Sequence, residues 1–63
     1  MEGKVKFYND KRGYGFIVGE DEKDYFFHVS AVKTNQPLDE GQAVEFEPTT
    51  NDKGNQAIDV VVK

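Results

Sequence analysis

Lys11-Arg12-Gly13-Tyr14-Gly15-Phe16-Ile17-Val18 is followed, after a short acidic segment, by Tyr25-Phe26-Phe27-His28-Val29. In an extended chain, alternate side chains turn to the same face, so Tyr14 and Phe16 share one face of a strand. Phe26 and His28 share one face of the next. Four flat rings on two adjacent strands, flanked by Lys11 and Arg12, suit a planar, anionic ligand. Single-stranded nucleic acid fits that description best, because its unpaired bases offer their faces to aromatic side chains.

Outward from these segments the chain reads as short strands separated by turns. Lys4-Val5-Lys6-Phe7-Tyr8 alternates charge with apolar groups and ends in the turn-forming Asn9-Asp10-Lys11-Arg12-Gly13. Tyr14 to Val18 is a second strand, closed by the acidic loop 19–24, and Tyr25 to Val29 is a third. Ser30 is placed to cap a single helical turn through Val32. Lys33 to Pro37 reads as a loop and Leu38 to Gly41 as a turn. Ala43 to Glu47 alternates cleanly and is expected to end at Pro48, which cannot donate to a central ladder. Asn51 to Asn55 is a hairpin tip, and Ala57 to Val62 a final strand. Five short strands at this spacing, with no amphipathic helix, predict a small all-β barrel, closed or nearly so. The expected core is Val5, Ile17, Phe27, Val32, Val44, Phe46, Ile58 and Val60. No repeat or linker interrupts the chain, so residues 1–63 are expected to form one domain.

Composition narrows the function classes. A chain of 63 residues leaves no room for a deep catalytic cleft beside its core. Without cysteine there is neither a disulfide framework nor a thiolate metal site, which suits a reducing compartment. Met1 leads directly into polar residues rather than a secretory leader, and Val60-Val61-Val62 is far too short to cross a bilayer; a cytoplasmic location without membrane attachment is expected. The net charge of −4 argues at first against nucleic acid. Its distribution argues the other way. Residues 1–19 hold four cations against two carboxylates, a balance of +2, whereas residues 20–63 hold four against ten, a balance of −6. The positive end carries the first two aromatic strands.

Those aromatic strands resemble a known family. Arg12-Gly13-Tyr14-Gly15-Phe16-Ile17 is similar to the first ribonucleoprotein motif of the cold-shock domain, and Tyr25-Phe26-Phe27-His28-Val29 to the second. Gly3 to Asn9 resembles that family's opening strand, and Glu40 to Glu47 its fourth, so the likeness runs essentially end to end. It implies a five-stranded antiparallel Greek-key barrel of the oligonucleotide-binding (OB) type. It also implies single-stranded RNA and DNA as partners, RNA chaperoning, and regulation of transcription or translation, with no cofactor. The matching positions for base stacking are Phe7, Tyr14, Phe16, Phe26 and His28. Lys6, Arg12 and Lys53 match backbone-facing cations, and Asn9 and Asp24 match polar groups that hydrogen-bond bases. Three departures from the family pattern point to a weaker or shorter site. Phe7 and Tyr8 replace tryptophan and phenylalanine, Val29 replaces an aromatic, and the segment 33–38 is short and lacks a phenylalanine.

Each feature also has a plainer reading. Alternating aromatics are more often core than platform. Eight rings in 63 residues, added to the valines and isoleucines, nonetheless exceed what so small an interior holds, so some must lie outside. Phe7 sets two arguments against each other. Strict alternation puts it inside with Val5, whereas the resemblance puts it on the ligand face. A bulge in the first strand reconciles them, and Tyr8 is the alternative ligand ring. His28 is the only histidine, so neither a tetrahedral metal site nor a nucleophile–base pair can be assembled around it. It is a stacking ring or a half-exposed strand residue. Gly13 and Gly15 are better read as removing side chains so that bases can settle between Tyr14 and Phe16; the plainer reading is that they relieve crowding in a coiled strand, and the two readings are compatible. The spacing of these glycines misses the dinucleotide fingerprint. The 20–24 segment lacks the spacing, central glycine and helices of a calcium loop. Two rival functions remain, a barrel that docks duplex DNA and one that binds a protein or peptide; an enzyme is the least expected class. A closed barrel needs no second copy, so a monomer is expected.

Overall fold

The computed structural model describes the whole chain apart from residues 34–37 and 53. Five strands, β1 (Glu2–Asn9), β2 (Tyr14–Gly19), β3 (Asp24–His28), β4 (Ala43–Asn51) and β5 (Gly54–Val62), close into a barrel in the order β1-β2-β3-β5-β4. Neighbours run antiparallel except at β3 and β5, which meet in parallel with Phe26 beside Gln56. The expected antiparallel description therefore holds for every pair but this one. Closure leaves few free edges, which removes the template for edge-to-edge association.

The interior is filled by Val5, Ile17, Tyr25, Phe27, Leu38, Val44, Phe46, Ala57 and Val60, with Tyr8, Val32 and Val62 packed against them. Tyr25 joins Phe27 on the inward face of β3 and tilts against Phe46 with ring centroids 5.1 Å apart. Its hydroxyl donates to Asp21 Oδ2 at 2.6 Å. That bond holds the Asp21 carboxyl below its ordinary pKa and pushes the Tyr25 phenol up.

Ile58 departs from the expected core. It is 39 % exposed, because Asp59 adopts a left-handed backbone (φ 53°) and is inserted between Ala57 and Val60. Two steps on β4, from Glu45 to Glu47, thus match three on β5, from Val61 back to Ile58. The extra residue flips the parity: Ala57 and Val60 point in, and Ile58 points out. β4 also continues through Pro48 instead of ending there. Phe46 donates its N–H to the Met1 carbonyl at 2.8 Å and accepts from the Met1 ammonium at 2.6 Å. Two residues on, Pro48 faces the same flank beyond the start of β1, where a missing donor costs nothing. The short helical turn is a 3₁₀ turn, Val29–Ala31, capped by His28 rather than Ser30. The loop expected at Lys33 to Pro37 falls largely outside the described residues.

Gly15 departs from its expected role of clearing space for a base. It faces inward, and a Cβ there would overlap the Phe7 carbonyl oxygen and lie 2.8 Å from two carbons of the Phe27 ring. Its bare backbone serves the packing of β1 and Phe27, not the seating of a base. Gly13 serves the turn, with φ +73° and Val29 directly above it. Gly15→Ala is therefore expected to cost about 1–3 kcal/mol by overpacking. At about 4–8 °C per kcal/mol in a domain of this size, calorimetry reads this as a clear drop in Tm. An unchanged Tm contradicts the packing role.

Candidate nucleic-acid interface

The outer face of β1, β2 and β3 gathers the rings. One inserted residue in β1 makes this possible: Val5 pairs with Ile17 and Phe7 with Phe16, so two steps on β1 match one on β2. Val5 stays in the core while Phe7 swings outward, 38 % exposed. Tyr8 consequently turns inward and stacks on Phe27, with centroids 5.9 Å apart and planes 7° from parallel. Phe7 is thus the ring that β1 adds to the outer face, and Tyr8 is not.

Two cross-strand rows result. Phe7, Phe16 and Phe26 are register partners across β1, β2 and β3. Asn9, Tyr14 and His28 form the row beside them. The rings also touch one another. Tyr14 stacks on Phe26 at 5.7 Å and 27°, Phe16 meets Phe26 edge-on at 5.7 Å and 72°, and Phe7 tilts against Tyr14 at 6.2 Å. Such ring pairs contribute about 0.5–1.5 kcal/mol each and fix the rings in place before any ligand arrives. Phe16, at 36 % exposed, offers an open face.

Polar groups border the rows. Asn9 Oδ1 accepts the backbone N–H groups of Lys11 and Arg12, each at 3.1 Å, and its carbonyl accepts from Gly13 at 2.8 Å. The oxygen of Asn9 is therefore committed to the turn, leaving its amide nitrogen to face a ligand. Lys11 and Arg12 make no ion pair among the described residues. Lys6, at the bulge, pairs with Asp24 at 3.1 Å, and both side chains are more than half exposed. An exposed pair of this kind is weak, on the order of 0–1 kcal/mol, so Lys6 can exchange Asp24 for a phosphate at little cost. His28 Nδ1 accepts the Ser30 N–H at 3.3 Å and lies 3.1 Å from Ser30 Oγ, which anchors the ring by that nitrogen. Lys53 lies outside the described residues. Among the described residues no group of three or more histidines, cysteines or carboxylates is placed to hold a metal.

A sequence model described as the "Cold-shock" DNA-binding domain matches residues 1–63. The chain belongs to the cold-shock domain family. It is 49 % identical over 61 residues to cold shock protein 1 of Lactiplantibacillus plantarum, covering 94 % of this chain and 92 % of that one. It is 48 % identical over 62 residues to cold shock protein CspA of Staphylococcus aureus, covering 95 % and 94 % respectively. Against cold shock-like protein CspE of Escherichia coli it is also 48 % identical, over 64 residues, covering 97 % and 93 %. A solved Drosophila structure, Unr CSD456, superposes with a TM-score of 0.77 at 28 % identity, covering 98 % of this chain and 26 % of that longer one. The barrel is accordingly the OB-fold of cold-shock domains, and its ring cluster fits single-stranded nucleic acid.

The outer face of this cold-shock domain extends beyond β1, β2 and β3. Through the parallel β3–β5 contact the first ring row continues from Phe26 to Gln56 and on to Thr49, which are register partners and half-buried. Alternation from the inward Ala57 would have turned Gln56 outward, but only the non-local pairing shows which row it joins. If the rings form the platform, Phe16→Ala and Phe26→Ala each weaken binding of a short uracil-rich single strand by about 1–3 kcal/mol, fivefold to over a hundredfold in Kd. Circular dichroism should show the barrel intact. Unchanged affinity in both variants contradicts the platform.

Proposed function

We propose that this cold-shock domain binds single-stranded RNA and DNA by stacking unpaired bases on Phe7, Tyr14, Phe16, Phe26 and His28. The observation that carries the reading is the cluster itself: a line of rings in mutual contact on one outer face of three adjacent strands. Lys6, Arg12 and Lys53 neutralise phosphates, while Asn9 and Asp24 meet base edges. Tyr8 supports the platform from beneath through Phe27. Every base has a stackable face, so sequence preference is mild. Trapping open strands shifts RNA pairing equilibria by mass action, which is chaperoning without fuel and a route to regulating transcription or translation. The protein acts as a monomer in the cytoplasm, in one cold-shock unit spanning residues 1–63, and catalyses no reaction. Docking of duplex DNA is disfavoured by the net charge of −4 and by a site made of ring faces rather than a broad cationic surface.

Two measurements test this. A single strand is expected to bind far more tightly than the duplex of the same sequence, whose base faces are hidden. With about three phosphate contacts, log Kobs against log salt should have a slope near −2 for single strands. Equal affinity for duplex, or a much steeper slope, contradicts a stacking-dominated site.

A further inference from the structure

Below the rings lies a second surface, which adjoins the ring face at Lys6. One pleat repeat along the strands from the Phe7–Phe16–Phe26 row, about 7 Å away, Ala43 is the partner of Lys4, Lys4 of Val18, and Val18 of Asp24. Beyond Lys4 and Val18, Gly3 and Gly19 face each other. Their missing side chains point inward: a Cβ on Gly3 would lie 2.8 Å from Ile17, and one on Gly19 2.8 Å from Met1 Sδ. Gly3, Lys4, Val18, Gly19 and Ala43 line a groove of about 590 Å³, with Lys6 at its ring side. Its volume falls within the range of roughly 300–1,000 Å³ typical of small-molecule sites.

The charges around the groove are arranged in order. Lys4 is exposed and makes no ion pair among the described residues. Lys63, at the far end, is bound to Glu2 and also lies 3.8 Å from Glu45, so its charge is already matched. Past Val18 the lining ends in Glu2 and Glu20. Lys4 stands mid-row between the exposed Ala43 and the half-buried Val18; Asp24, held by Lys6, ends that row, and Glu2 and Glu20 lie beyond it.

We propose that this groove is one additional nucleotide subsite, resting on the single-strand reading: the base following the one on Phe16 lies against Val18, and its phosphate sits on the neighbouring Lys4. Three features of the surface argue for this occupant. Continuity is supplied by Lys6, which borders both the groove and the ring cluster; its exposed pair with Asp24 spans β2 beside Val18, and a strand leaving Phe16 opens that pair at little cost as it enters the groove. The aliphatic Val18 suits a base face, and the unpaired ammonium suits a phosphate. The carboxylates beyond repel a second phosphate, which limits the extension to a single nucleotide.

The test is a length series. Labelled oligouridines of increasing length are titrated by fluorescence anisotropy against the full chain, Lys4→Gln and Phe16→Ala. Lys4→Gln is expected to leave the shortest strands unaffected. It should weaken strands long enough to pass Phe16 by about threefold, the scale of one exposed charge contact. It should also reduce their salt slope by about 0.7, and the affinity plateau should arrive one nucleotide earlier. An equal loss at every length marks long-range attraction and overturns the subsite, as does no loss at any length. In either case, continued weakening of all lengths by Phe16→Ala leaves the ring platform standing. If Phe16→Ala changes nothing at any length, the platform and the subsite fall together.

Discussion

Because one residue is inserted in β1 between Val5 and Phe7, the two halves of that strand present opposite parities to the barrel, and much of the molecule follows from this. Val5 remains in the core, Phe7 joins Phe16 and Phe26 outside, and Tyr8 turns in to stack on Phe27. Without the insertion Phe7 would compete for an interior already holding Tyr25, Phe27 and Phe46, and the outer row would lose its first ring. A small barrel has too little interior for eight aromatics. The bulge decides which of them are given to the solvent side.

The same economy shapes the rest of the surface. Gly15 carries no side chain because β1 backbone and the Phe27 ring occupy the space it would take. The resulting close approach of β1 and β2 brings Phe7 over Tyr14. Asn9, at the end of β1, folds the Lys11–Arg12 turn back beside those rings through its side-chain oxygen. Packing demands on the inside and the ligand face on the outside are thus met by the same few residues. Net acidity is no obstacle, since Lys63 and Lys33 are drawn into ion pairs with Glu2 and Asp59 elsewhere, while the turn cations stay open.

Much of this was legible in the residues themselves. Period-two alternation placed Tyr14 with Phe16 and Phe26 with His28 on the outer face, and Ile17, Phe27, Val44 and Phe46 within, because each pattern is local and uninterrupted. Where a single residue breaks the period, local pattern fails. Asp59, in a left-handed conformation, reversed the expected placing of Ile58, and no residue type near it announces the insertion. The bulge in β1 was inferable only as the reconciliation of two conflicting arguments. Pro48 could be accommodated within β4 because of where β1 begins, which is a tertiary fact. Gln56 and Thr49 join the first ring row through a parallel contact between strands distant in sequence, beyond the reach of any window along the chain.

Unpaired bases lying against this one outer face are the central requirement of single-strand binding here. The most direct measurement is a chemical-shift titration of the isotopically labelled chain with a short uracil-rich single strand, following the aromatic ring signals. Signals of Phe7, Tyr14, Phe16, Phe26 and His28 should shift together and saturate at one strand per chain, while the interior rings of Tyr25 and Phe46 hold still. Saturable binding that leaves the five outer rings unmoved and shifts only residues of the acidic β4–β5 side would contradict it.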